Sequence, residues 1–187
     1  LPYTIGDYLS HEIQSPKVDT NAPEFVAAEK AIREKIAKLF AINGKLSPDD
    51  IHKRLGRIMW DNVGMARSEE SLKNALVEIP KLREEFWKNV RVAGKGEEFN
   101  QELEKALRLA DFLEMGELMA RDALNRKESC GGHFRIEHQT AEGETKRDDE
   151  NFAHVAIWEY KGDAEPVRHE EQLKFETVKL SQRNYKD

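Results

Sequence analysis

The chain has 187 residues, 35% of them charged, with a formal net charge of -6 and a mean hydropathy of -0.77. That length predicts about one domain, able to bury roughly 70% of its unfolded surface. The acidic balance argues against nucleic acid, which asks for a basic patch, and no apolar run reaches the roughly 18 residues of a membrane helix. No signal-peptide pattern is visible. One cysteine allows no internal disulfide and suits a reducing compartment. Because it starts with Leu1 rather than Met, the chain is expected to be a piece of something longer.

Residues 1–20 show no long helical period. Pro2 and Pro16 punctuate them, and Tyr3, Ile5, Tyr8 and Leu9 are apolar without a core of their own. Such an arm either docks on a neighbour or packs loosely. A first helix is predicted from Pro23 behind an Asn21 cap, with Phe25, Ala28, Ile32, Ile36, Leu39 and Phe40 as its stripe and Asn43-Gly44 as its stop. The second has the clearest start, Ser47-Pro48-Asp49-Asp50, and the stripe Ile51, Leu55, Ile58, Met59, Val63 and Ala66. Ser68-Glu69-Glu70 opens a third with Leu72, Leu76, Ile79, Phe86 and Val90, in which Pro80 predicts a kink or a break. Gly94-Lys95-Gly96 is a loop; with no preceding strand and no third glycine it is not a phosphate cradle.

The last helix is predicted over Asn100 to Glu128. It carries one face of Leu103, Ala106, Leu107, Ala110, Leu113 and Leu118 and a second of Leu109, Phe112, Met119 and Ala123. A helix apolar on two sides lies between partners. The fold class expected is therefore mainly α, an antiparallel three- to four-helix, spectrin-repeat-like bundle with a short C-terminal β-hairpin appendage. The hairpin comes from the change of period after His133. Ala141 to Glu150 reads as a polar loop, Phe152 to Tyr160 as a strand covered on both faces, and Lys161-Gly162-Asp163 as a turn. Leu173 to Leu180 reads as the second strand. Divided by composition, residues 1–20 form the arm, 21–135 the bundle, and 136–187 the loop and hairpin.

Where the helical pattern stops stands Arg126-Lys127-Glu128-Ser129-Cys130-Gly131-Gly132-His133. Arg126 and Lys127 fall where a last turn wants positive charge, and two glycines can end a helix in the left-handed conformation or admit another backbone. The string resembles the Arg-x-Glu-Ser-Arg-Gly-x-His stretch of the flavoprotein subunits of succinate dehydrogenase and fumarate reductase. Arg147-Asp148-Asp149-Glu150-Asn151-Phe152 is similar to that family's Arg-Asp-Asp-Glu-Asn-Trp, and Arg183-Asn184-Tyr185 to its Arg-x-Tyr close. Pro2-Tyr3-Thr4-Ile5-Gly6 resembles the segment that follows the family's flavin-binding domain, and Ala66 to Leu72 part of its helical region.

The resemblance covers the family's C-terminal helical region and tail. It implies a parent that interconverts succinate and fumarate on bound FAD and passes electrons through an iron–sulfur subunit and a membrane anchor subunit at the cytoplasmic membrane face. The flavin-linking histidine, the substrate-binding motifs and the dinucleotide glycine turn of that parent are not found in this sequence, so no catalytic residue and no cofactor site is carried over. The expected role is structural. Arg126, Glu128, Ser129, His133, Arg147 and Asp148 would make a polar contact with the upstream flavin-binding and capping domains, or brace the helix end within this domain. Cys130 stands where many family members have Arg, which removes a guanidinium.

Three chemical alternatives are weaker. Cys130, His133, His138 and His154 have some zinc-like spacing but no second cysteine pair. Asp148-Asp149 could do acid–base work, though such runs more often cap turns. Cys130 beside cations and a histidine could be a nucleophile, which native-state inertness to a thiol reagent would exclude. From another class, a free-standing helical interaction module remains open. Exposed apolar surface near residues 1–10 and 126–135 would argue instead for a missing intramolecular partner.

Overall fold

A computed structural model describes residues 2–13, 15, 17–96, 99–162, 164–179 and 181. Three helices form its centre: α3 (Pro48–Val63), α4 (Glu69–Asn89) and α5 (Gln101–Asn125), preceded by α1 (Pro2–Glu12) and α2 (Pro23–Ile42). Asn62 bonds Asn74 and, two turns back, Arg54 bonds Glu85, so α3 and α4 run antiparallel. Arg83 pairs with Glu117, while the start of α4 lies beside the residues that follow α5, so α4 and α5 are antiparallel too. Ile51, Leu55, Leu72, Ile79, Phe86 and Leu113 fill the space between them. The expected bundle is present.

The predicted starts of α3 and α4 hold in detail. The Ser47 hydroxyl accepts the Asp50 N–H and the Asp50 carboxylate answers at Ser47 N; Ser68 and Ser71 make the same reciprocal pair. Asn43 takes the left-handed conformation that ends α2. Gly44 then lets the chain cross the end of α4: a Cβ there would lie 2.1 Å from the Asn89 carbonyl oxygen. The crossing is closed by Gly44 N–H to Val90 O and Lys45 N–H to Asn89 O, both 2.9 Å.

Several expectations fail for physical reasons. Residues 2–12 are helical, not irregular, yet α1 buries no side chain. Asn21 does not cap α2; it is engaged with Asp19, and Ala22 holds the cap position. Of the α2 stripe only Leu39 is buried, because the first half of the helix extends past the bundle and leaves Phe25 and Ile32 exposed. Pro80 does not break α4, which continues as one helix from Glu69 to Asn89. On α5, Leu109 and Ala123 join the core, but Phe112 and Met119 are left exposed, so the second face is not covered as a face. α5 also ends at Asn125, three residues before the predicted Glu128.

Beyond α5, β2 (Phe134–Arg135) pairs in parallel with β1 (Ala66–Arg67), a link the sequence does not announce. A single turn, α6 (Asp149–Phe152), interrupts the polar loop. β3 (His154–Glu159) pairs antiparallel with β4 (Val167–Gln172), His154 opposite Gln172. The second strand is thus the charged run before Leu173, not Leu173 to Leu180: the turn at Gly162 fixes a register that ends at Gln172. Cross-strand charge matching supports it, with His169 on Glu159 at 3.0 Å. Nor is β3 covered on both faces. His154, Ala156 and Trp158 turn inward, and Val155 and Ile157 are exposed. The Arg183-Asn184-Tyr185 close lies outside the described residues.

Candidate functional site

The segment after α5 folds into a small loop with a closed base. Cys130 and His133 exchange both backbone hydrogen bonds, 2.8 and 3.0 Å, so Gly131 and Gly132 form the turn between them. The glycine pair therefore does not stop the helix. Gly131 alone takes positive φ, at 58°, and side chains added at either glycine would meet open space. Beneath the turn, buried Ser129 brackets Arg135: its hydroxyl accepts the Arg135 N–H at 2.8 Å and donates to the Arg135 carbonyl at 3.2 Å.

Arg135 is the residue that sequence reading missed. It is 1% exposed, the largest fully buried side chain among the described residues. Its Nη1 donates to the carbonyls of Ala123, Leu124 and Arg126, at 3.0, 3.3 and 3.4 Å. Those are the orphan acceptors at the negative end of α5. The sequence offers Arg126 and Lys127 for this task, but both lie beyond the last turn. The cation comes from β2 instead.

Arg135 Nε reaches Glu137 at 3.2 Å, and the other Glu137 oxygen accepts the Glu69 N–H in the first turn of α4. Against the upward push of desolvation, these hydrogen bonds and the Arg135 charge hold Glu137 below the usual carboxylate range. One ion pair thus serves the C-terminus of α5 and the N-terminus of α4.

The six predicted contact residues are brought together around this pair, and each has an internal task. Arg126 donates to the carbonyls of Phe152 and His154, at 2.8 and 3.3 Å, and lies 3.6 Å from Glu128. Glu128, 3% exposed, accepts the Asp148 N–H at 2.9 Å. Asp148 caps α6 through Asn151. Arg147 grips Asp149 with two donors, at 2.9 and 2.6 Å, which raises its guanidinium above its ordinary value, and also reaches the Ser181 carbonyl. His133 Nε2 donates to the Arg126 carbonyl at 2.9 Å. Desolvation pushes the His133 ring below its ordinary value, and Arg67, Arg135 and Arg126 add to that push against the backbone bond.

The hairpin is docked by the same elements. Trp158 Nε1 donates to Asp122 on α5 at 2.8 Å. Arg168 Nη2 donates to Nε2 of buried His154 at 2.7 Å, which puts the ring proton of His154 on Nδ1. Asp148 and Asp149 are both engaged in capping and pairing. Among the described residues no group of three or more His, Cys, Asp or Glu side chains is arranged to hold a metal.

The chemistry this arrangement offers is positional. A hydrogen-bonded polar knot joins the C-terminus of α5, the N-terminus of α4 and the hairpin, and holds a glycine turn with open space at both glycines. The molecule is a helical domain that presents a loop.

Residues 52–185, which include the entire knot, match the family described as fumarate reductase flavoprotein C-term, and the chain belongs to that family. It is similar to the fumarate reductase flavoprotein subunit of Proteus vulgaris, 30% identical over 161 residues, which are 86% of this chain and 25% of that protein. The Helicobacter pylori subunit (strain J99) is 31% identical over 156 residues, 82% of this chain and 21% of that protein. Among solved structures, a point mutant of the E. coli quinol fumarate reductase FrdA is similar with a TM-score of 0.75 at 25% identity. That match covers 88% of this chain and 27% of that one. Mycobacterium smegmatis Sdh1 in complex with UQ1 gives 0.62 at 25% identity, over 78% and 24%. The chain spans about a quarter of the length of the curated relatives it matches.

Proposed function

We propose that the chain is the helical C-terminal domain of a flavoprotein subunit that interconverts succinate and fumarate on FAD, and that its own part is architectural. The observation that carries this is the family match, which runs through the knot and includes all six contact residues. In this reading Arg126, Glu128, Ser129, His133, Arg147 and Asp148 hold the Cys130–His133 turn in one shape against the flavin-binding and capping domains. Electrons pass from the parent flavin to an iron–sulfur subunit and a membrane anchor subunit on the cytoplasmic face of the membrane. No helix among the described residues is long and apolar enough to cross that membrane.

Two features of the surface support a partner from the same polypeptide. Every described residue of the first 20 is exposed, including Tyr3 at 92%, and a helix of this length is marginal in water without a face to cover. At the other end of the site, the two glycines of the turn face open space, where another backbone can approach.

FAD does not fit this chain on its own. The described strands form two two-stranded pairs, without a glycine-rich strand-to-helix turn to receive a pyrophosphate. No flavin step is assigned to these residues. The test is complementation. The purified chain alone is expected to be colourless and inactive in dye-coupled succinate oxidation. Added to the parent polypeptide truncated before this region, it is expected to raise that activity. A chain that binds flavin or turns over succinate alone, or one that never changes the truncated enzyme, would overturn the reading.

A further inference from the structure

We infer that Arg135 is the positioning residue of the Cys130–His133 turn. The turn is a closed loop whose base is the two-way bond between Ser129 and the backbone of Arg135. What joins that base to the bundle is the Arg135 side chain, through the three carbonyls at the end of α5 and, by way of Glu137, the first turn of α4. The Arg126 carbonyl is shared: it accepts from Arg135 Nη1 and from His133 Nε2, so the side chain and the far edge of the turn are set by one acceptor. β1 adds a second stay, since the Ile136 N–H bonds the Arg67 carbonyl at 3.0 Å. The side chains that meet the turn itself do less. His133 makes a single bond, to the Arg126 carbonyl just past α5, Arg67 Nη2 makes one long bond of 3.5 Å to the Gly132 carbonyl, and the Cys130 backbone bonds only within the loop.

A planar fork is needed here. Nη1 serves the three carbonyls and Nε the Glu137 carboxylate, and the single ammonium of Lys cannot stand at both places. The consequence for the parent rests on the proposed docking of the turn against the flavin-binding domain; the positioning claim is tested without it.

The experiment compares the wild-type chain with Arg135→Lys and Arg135→Met by residue-resolved hydrogen exchange and by ring titration of His133. Expected are at least tenfold faster exchange at the Cys130 and His133 amides in Arg135→Met, with smaller change in Arg135→Lys. The Leu109 and Leu113 amides of mid-α5 are expected to keep their rates, and His133 to titrate higher once a neighbouring cation is gone. Unchanged turn amides would overturn the assignment, and so would equal acceleration of turn and core. If Arg135→Met does not fold, Arg135→Lys decides by the same comparison. In complementation, Arg135→Lys is expected to lower the maximal rate at least fivefold at unchanged KM for succinate. Failure of the wild-type chain to complement would strike the proposed function and leave the exchange result standing.

Discussion

Replacing Glu128 by Gln removes one charge from the knot while keeping its shape. Glu128 is 3% exposed, accepts the Asp148 N–H at 2.9 Å and faces Arg126 Nε at 3.6 Å. A hydrogen bond to a charged group contributes about 1.5–3 kcal/mol and a neutral one about 1 kcal/mol, so the bond to Asp148 weakens by roughly 1 kcal/mol. Arg126 is 30% exposed and keeps two carbonyl partners, so the lost ion pair is partly screened and adds about 0.5 kcal/mol. With the amide oxygen kept on the Asp148 N–H, the new NH2 faces the Arg126 guanidinium, donor against donor, a further cost of about 0.5–1 kcal/mol. The sum is about 2 kcal/mol. For a chain of this size that lowers Tm by roughly 4–8 °C. Urea unfolding followed by tryptophan fluorescence measures it, since Trp158 is bonded to Asp122 beside the knot. Glu128→Ala, which orphans the Asp148 N–H as well, is expected to cost more, about 3 kcal/mol or above. A Glu128→Gln variant within about 0.5 kcal/mol of wild type would refute the account of the knot as a coupled network.

The remaining predictions follow from single contacts. His133 titrates lower in the folded chain than its ordinary 6.5, so the unfolded chain takes up its proton first. Its contribution is complete above that pH and is lost as pH falls through the folded value; His133→Gln is expected to flatten that part of a stability–pH curve. Gly56 lies exposed within α3 with open space where a Cβ would be, so Gly56→Ala is expected to stabilise by about 0.8–1 kcal/mol in denaturant. Gly44→Ala is expected to destabilise by at least about 2–3 kcal/mol in the same assay. The new Cβ drives the chain off Asn89 and breaks the two bonds that close the crossing.

What was legible in the sequence was whatever local chemistry decides. Ser47 and Ser68 start helices because a hydroxyl three residues from an orphan N–H caps it wherever the chain lies. The stripes of α3 and α4 were readable for the same reason, except at Ala66, which stands exposed in β1 beyond the end of α3, and the Arg126–His133 and Arg147–Phe152 motifs lie within the residues that match the family. Arg135 was not legible. Arg121 to Arg147 inclusive holds six arginines and lysines, and nothing local says that the one two residues past His133 is buried against carbonyls 9 to 12 residues earlier. The signal available was indirect. α5 ends without a basic residue in its last turn, so its carbonyls needed a cation from elsewhere. The misplaced second strand has a similar cause. Leu173, Phe175 and Val178 read as half-buried, but the hairpin register was set by the turn at Gly162 and by cross-strand charges, and all three residues are exposed. Helix α1 was hidden because its apolar residues have no face of this chain to match.

The most direct test of the account is hydrogen exchange along the whole chain, alone and mixed with the flavin-binding polypeptide of the parent. Alone, α1 is expected to exchange almost freely, because none of its side chains is buried. In the mixture, residues 2–13 and the amides of the Cys130–His133 turn are expected to slow together by at least tenfold. Protection confined to the exposed Phe112, Met115 and Met119 face of α5, or no protection at all, would contradict it.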